Sequence, residues 1–309
     1  MNFRKFSLIV CSVLSSFMFC LGLLTLLYIN LSADREKPRD SSQAFIHEIL
    51  QPFKPAVEDI NVLVLGGDKV NKNTDTIMLV NFNPSTAKIS ILSIPRDTKV
   101  RLNGSKAKIN AAYPKGGAEL AVETVSQLLG VDIEYYVFVN TSAFRKIIDK
   151  LGGVDYYVPV DMDYDDPIQN LHIHFKKGKH HFNGAQAEQF MRFRHYNNNK
   201  VNKYYDGSDL KRIDAQQNFI KELVRQKANL LYITKLNDIL SVVFNNIETN
   251  LTMSEVLKMS GNISKINADQ INMFKVPGES RRDGAWYYEI DSVETDKIIN
   301  EHFSSKDAQ

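Results

Sequence analysis

The chain has 309 residues, 43% hydrophobic and 24% charged. That is the balance of a globular protein with a sizeable core, and it excludes a disordered, low-complexity or collagen-like chain. The 38 Lys and Arg set against 36 Asp and Glu leave no basic surplus of the kind a nucleic-acid binder usually shows.

Phe6 to Ala33 carries no charge. A membrane-spanning helix needs about 20 apolar residues, whereas the apolar region of a cleaved signal peptide runs to about 7–15 and ends in a small-residue site. This run is longer, and "LSA" is a poor cleavage site, so residues 6–33 read as an uncleaved anchor. Both cysteines, Cys11 and Cys20, fall inside it. The remainder therefore holds neither a disulfide scaffold nor a Cys-ligated zinc. Arg4 and Lys5 precede the run and Arg35, Lys37 and Arg39 follow it, so counting Lys and Arg does not orient it. Residues 1–5 are too few for a domain, and a long C-terminal domain crosses largely regardless of its charge. The expected order is a cytoplasmic head (1–5), the membrane anchor (6–33), a polar linker or stalk (34–58) and an extracytoplasmic domain (59–309).

"INVLVLG" reads as a buried strand closed by Gly66 and Gly67. "TDTIMLVNF" and "KISILSI" are two more strands, and "NPST" between them has hairpin-turn chemistry. "GGAELAVETVSQLLG" has helical spacing and ends on Gly130. "EYYVFVN" is a strand, "TSAFRKIIDKLGG" a helix capped by Thr141 or Ser142, and "VDYYVPV" a strand. "AQAEQFMRFR" is helical. "GSDLKRIDAQQNFIKELVRQ" is a longer helix capped by Ser208 or Asp209, and the Asn-rich stretch 195–207 before it reads as a mobile loop. Helices follow over roughly 230–262, then strands at "INMFKVPG" and "AWYYEID" and a short closing helix. Strands alternating with helices imply an α/β domain, a central mixed β-sheet flanked by helices on both faces in three α-β-α layers.

Ligands of such sheets bind at strand ends. Asp68 follows the first strand, Asp75 opens the second, and "SIPRDT" ends the third with Arg96 and Asp97. Lys108 begins "KINAAY". Arg192 and Arg194 lie two apart, so both reach one site only if the helix ends between them and the chain becomes extended. Arg212 and Gln216 lie one turn apart on one helix face. Arginine forks match phosphate oxygens, and carboxylates among them make sense around a cation, since Mg2+ is bound by one or two carboxylates plus phosphates. The combination suits a bound diphosphate. Singly, each residue is an ordinary surface ion-pair member, and Arg212 has Asp209 three residues before it as a ready partner.

"VLVLGGD", "NTDTIMLVNFNPSTAKISILSIPRDTKV", "KINAAYPKGG", "VFVNTSAFRKIIDKLGGV", "LHIHFKKGKHHFNGAQAEQFMRFRH" and "DLKRIDAQQNFI" occur in the order seen in the LytR-CpsA-Psr family, which the chain resembles over roughly 59–228. The resemblance implies a membrane-anchored phosphotransferase of Gram-positive envelopes. It would move a glycopolymer, such as a teichoic acid or capsule precursor, from a polyisoprenyl-diphosphate-linked donor to a peptidoglycan acceptor, with the lipid tail in an apolar tunnel. It implies Asp68 and Asp75 at an Mg2+ or Mn2+ ion, and Arg96, Lys108, Arg192, Arg194, Arg212 and Gln216 at the diphosphate, with Asp75 and Arg96 catalytic. Asp75 or Asp97 is the expected proton acceptor. Where the family usually has an arginine, two residues before Asp75, this chain has Asn73.

Other signals point elsewhere. His172 and His174 share a strand face, but no acidic third ligand stands at a metal-site spacing, so they read as structural or solvent-facing. "DMDYDD" (161–166) lacks the glycine and glutamate of an EF-hand and reads as an acidic loop. Trp286 reads as core or rim packing, and Arg281 and Arg282 as a solvated turn. A membrane-tethered transcriptional attenuator is the alternative function class, but no DNA-binding pattern accompanies the five-residue head. A hydrolase or binder of the same lipid diphosphate is a second.

Overall fold

The computed structural model describes residues 59–67, 73–198, 201–228, 236–259 and 265–303. The expected head, anchor and linker over 1–58, and Asp68, lie outside them. Among the described residues no helix is long and apolar enough to cross a membrane.

The chain runs through β1 (Ile60–Gly67), β2 (Thr74–Asn83), β3 (Lys88–Ser93), β4 (Lys99–Leu102), β5 (Ser105–Lys108), α1 (Ala112–Leu129), β6 (Tyr135–Asn140), α2 (Thr141–Lys150), β7 (Val154–Val158), β8 (Met162–Asp166), β9 (Leu171–Phe175) and β10 (Gly178–Phe182). It continues through α3 (Gly184–Arg192), α4 (Asp209–Lys227), α5 (Leu236–Phe244), β11 (Glu248–Thr249), α6 (Met253–Met259), β12 (Asn272–Lys275), β13 (Gly278–Asp283), β14 (Ala285–Ile290) and α7 (Ser292–His302).

Six strands make one mixed sheet in the order β11-β6-β1-β2-β3-β12. β1 pairs in parallel with β6, and β3 with β12, while β2 runs antiparallel between β1 and β3. Period-2 alternation divides the apolar residues. Leu63, Leu65, Ile77, Leu79 and Leu92 meet Ala121, Val125 and Leu129 of α1 and Ile299 of α7. Val64, Met78, Val80 and Ile91 turn the other way, against Ile220 and Val224 of α4. Helices therefore cover both faces, as the alternation of elements implies. Beside this sheet, the β7–β10 and β8–β9 ribbons pack with α3 and α4 around Phe182, Phe190, Phe193 and Phe219.

The carboxyl ends of β1 and β6 meet the start of β2 at one edge, where Gly67 is in register with both Asn140 and Thr74. A Cβ on Gly67 would stand 2.6 Å from the Asn73 carbonyl oxygen, so the close return of the chain at this edge requires glycine.

Four local expectations change. The α2 cap is Asn140, whose side chain accepts from the Ala143 amide at 2.9 Å, rather than Thr141 or Ser142. Residues 162–166 form strand β8 rather than a loop, because its alternate residues Met162 and Tyr164 pack into the neighbouring apolar cluster. Within the expected mobile loop, the described residues 195–198 and 201–207 are held by Tyr196 and Tyr205, both buried, with Asn202 donating to the Tyr196 hydroxyl and accepting from the Tyr205 amide. Trp286 is 60% exposed on β14, opposite Arg282.

Candidate functional site

A cavity of about 620 Å³ opens at the edge where β1, β2 and β6 meet, between the sheet and helices α2, α3 and α4. Its apolar lining is built from Val64, Met78, Val139, Phe144, Met191 and Ile220. The exposed Asp75 and the part-exposed Arg96, Arg192 and Arg194 stand at its mouth, and the buried Arg212 and Gln216 line it as well. Residues far apart in sequence converge because β2 starts, β3 and α3 end and the first turns of α4 lie at this edge.

Arg96 arrives on the chain leaving β3. Its Nη1 donates to Asp75 Oδ1 at 2.5 Å, and its backbone N–H donates to Asp209 Oδ2 at 3.2 Å. Arg212, one turn into α4, is 6% exposed. Its Nη2 donates to the Asp75 backbone carbonyl at 2.9 Å and ion-pairs with Asp209 at 2.5 Å. The ordinary local pairing of Arg212 with Asp209 is thus present, and Asp209 also holds the backbone that carries Arg96. The helix α3 ends at Arg192 and Phe193 is extended, with φ −62° and ψ 127°. This turns Arg192 and Arg194 into the same cavity. Arg192 donates to Glu188 at 3.2 Å and to Gln169 at 2.5 Å, and the Arg194 Nε donates to the Gly207 carbonyl at 2.6 Å. Gln216 Nε2 donates to the Met191 carbonyl at 3.1 Å, tying α4 to α3.

Burial drives the Arg212 pKa down from its ordinary value, and the charges of Arg96 and Arg194 push the same way against the attraction of Asp209 and Asp75. For Arg96 burial also lowers the pKa, but the hydrogen bond and charge of Asp75, with Asp209 and Asp97, outweigh it and raise the value. The Nε groups of both arginines are buried and find no acceptor among the described residues. Buried donors without partners are costly, and several cations held together repel, so the arrangement favours an anionic ligand with many oxygens.

Lys108 does not join them. It is not among the cavity-lining residues, and its Nζ lies 2.8 Å from Asp97 Oδ1. Asn73 does line the cavity, placing an amide beside Asp75. Glu188 is a residue the sequence reasoning missed. It is 4% exposed, lines the cavity, and pairs with both Arg192 and Arg145. Its spacing of four from Arg192 was the readable signal.

The donor set suits a metal that substrate completes. Among the described residues no trio of His, Cys, Asp or Glu converges in this cavity. Asp75, half exposed at the mouth, offers one carboxylate, which fits an ion whose remaining ligands are phosphate oxygens and water. Asp68, the second aspartate expected there, lies outside the described residues.

A model of the LytR_cpsA_psr family matches residues 25–304. A relative from Bacillus subtilis (strain 168), the polyisoprenyl-teichoic acid–peptidoglycan teichoic acid transferase TagV, is 32% identical over 74% of this chain and 59% of its own length. TagU of Bacillus anthracis, named as a transferase of the same kind, is 31% identical over 85% of this chain and 82% of its own. The chain thus spans about three fifths of the TagV relative's length. The crystal structure of B. subtilis TagV superposes with a TM-score of 0.68 at 31% identity, covering 79% of this chain and 96% of that one. The crystal structure of B. subtilis TagU gives 0.56 at 31% identity, with 79% and 95% covered.

Proposed function

The chain belongs to the LytR_cpsA_psr family, and from that premise we propose that it transfers a teichoic-acid-type or capsular glycopolymer from a polyisoprenyl-diphosphate carrier to peptidoglycan. The observation that carries this reading is the pairing, in one cavity, of four arginines with a set of apolar side chains. A polyisoprenyl diphosphate has that polarity: a multiply charged head on a long hydrocarbon tail. TagU and TagV, named for the teichoic acid form of this transfer, are 31% and 32% identical to the chain over 85% and 74% of it.

In the proposed reaction an acceptor sugar hydroxyl attacks the phosphorus bonded to the glycopolymer. The phosphoanhydride bond breaks, a phosphodiester forms, and the lipid monophosphate leaves. Arg96, Arg192, Arg194 and Arg212 hold the diphosphate and neutralise charge that grows on the leaving phosphate, in a half-buried site where such contacts are strong. Asp209 positions two of them. Of the two aspartates considered as proton acceptor, Asp75 lines the cavity and Asp97 is engaged by Lys108. Bound Mg2+ or Mn2+, held by Asp75 and the diphosphate oxygens, would add positive charge at the same point. The apolar segment at 6–33 would anchor the domain outside the membrane and raise its local concentration near a lipid-linked donor.

The test is transfer by the full-length chain from a synthetic lipid-diphosphate donor to peptidoglycan. Arg96→Ala is expected to lower the rate about 10²–10³-fold, the usual cost of removing one charge-stabilising donor. Unchanged transfer would overturn the assignment.

A further inference from the structure

The β8–β9 hairpin carries a second polar constellation that the donor cavity does not use. Its antiparallel register sets Asp163 opposite His174 and Asp165 opposite His172. All four side chains face solvent, while Tyr164 and Leu171 on the opposite face line the donor cavity and Ile173 is buried. The sequence offered no acidic third ligand for the two histidines. The hairpin supplies one by bringing Asp165, seven residues upstream, across the ladder.

One ligand atom each from Asp165, His172 and His174 lies within 4.8 Å of the others. Around a tetrahedral ion with bonds of about 2.0–2.2 Å, neighbouring ligand atoms stand roughly 3.3–3.5 Å apart. His174 Nε2 already lies 3.3 Å from Asp165 Oδ1. His172 Nδ1 lies 2.5 Å from the same oxygen, so that pair must open by about an ångström, a small change for two exposed side chains. Asp163 Oδ1 lies 2.7 Å from His174 Nδ1. Accepting that N–H leaves the Nε2 lone pair turned toward Asp165. A carboxylate behind a histidine, holding its tautomer so that the far nitrogen is free, is the arrangement that orients metal-binding imidazoles.

We propose that Asp165, His172 and His174, oriented by Asp163, form a site for a zinc-class divalent cation that ties β8 to β9 at the rim of the donor cavity. Two imidazoles and one carboxylate suit late first-row ions, whereas Mg2+ prefers oxygen ligands. The site is thus chemically distinct from the one at Asp75. Three protein ligands leave a fourth position to water or an anion. Two short strands are marginally stable alone, and this hairpin's turn carries Gln169, the acceptor for Arg192. Joining the strands would steady one wall of the cavity and one partner of a mouth arginine.

The test is calorimetric titration of Zn2+ into the chelator-stripped, untagged full-length chain with Mg2+ in excess, alongside hydrogen exchange at Leu171–Phe175. The expected result is one saturable equivalent and slower exchange in the hairpin. His172→Ala with His174→Ala abolishes binding, and Asp163→Asn weakens it about 10–100-fold. His181→Ala leaves it unchanged, because the Asp155–His181 pair on β7–β10 is not part of the site. No saturable heat, or equal heat in the double variant, overturns the site. Binding with unchanged hairpin exchange overturns the stapling role. None of these readouts depends on transfer activity.

Discussion

On β1, Leu63 and Leu65 are buried on the face sealed by α1, with almost no exposure, and Leu65 also borders the cavity. Val64 stands between them and opens onto the donor cavity with Met78 and Ile220. On β2, Leu79 is fully buried on the sealed face, while Thr76 points to the cavity, 3.5 Å from Gln216. On the sealed face Ala121, Val125 and Leu129 of α1 and Ile299 of α7 join the strand residues in one continuous buried cluster. On the other face α4 meets the sheet through Ile220 and Val224, against Val64, Met78, Val80 and Ile91. The same face borders the cavity, lined by Arg212, Gln216 and Ile220 of α4 together with Val64, Asp75 and Met78 of the sheet. One face stabilises the sheet, and the other can therefore remain incompletely packed. An apolar void of that size would be costly in a core, and it is tolerable where a ligand fills it.

The largest expected effect comes from breaking the sealed face. Leu79→Ala should cost about 2–5 kcal/mol in a denaturant titration, with donor affinity intact at temperatures where the protein stays folded. Next is the cavity face. Ile220→Trp should narrow the void at a stability cost of at most about 1–3 kcal/mol. It should raise KM for a long-chain lipid-diphosphate donor well above that for a short-chain one. Equal effects on both donors would show that the tail does not enter between α4 and the sheet. The smallest effect is expected at Lys108, whose partly exposed pair with Asp97 lies outside the cavity. Lys108→Ala should change stability by about 0–1 kcal/mol and leave donor affinity nearly unchanged. A large rise in KM would return Lys108 to the diphosphate site.

The sites were legible in the sequence to different depths. "SIPRDT" delivered Arg96 to the mouth because a proline closes the strand and the next residue must leave the sheet edge. Arg212 and Gln216 could be grouped from helical spacing alone. The turn from helix to extended chain between Arg192 and Arg194 was a condition the sequence could pose but not decide. The fate of Lys108 was hidden, since Lys99 and Lys108 pair across β4–β5 and bring that ammonium to Asp97. The burial of Glu188 was hidden too, because it depends on Arg145 approaching from α2.

By itself the sequence determined the alternation of strands and helices, the apolar faces and the order of charged groups at strand ends. Those follow from periods of 2 and 3.6 residues and from capping, all of which act over a few residues. Tertiary structure alone decided which ions share a cavity, which are spent on neighbours, and that Asp165 faces two histidines across a hairpin. Strand register and helix packing settle these matters, and they depend on contacts between residues far apart in the chain.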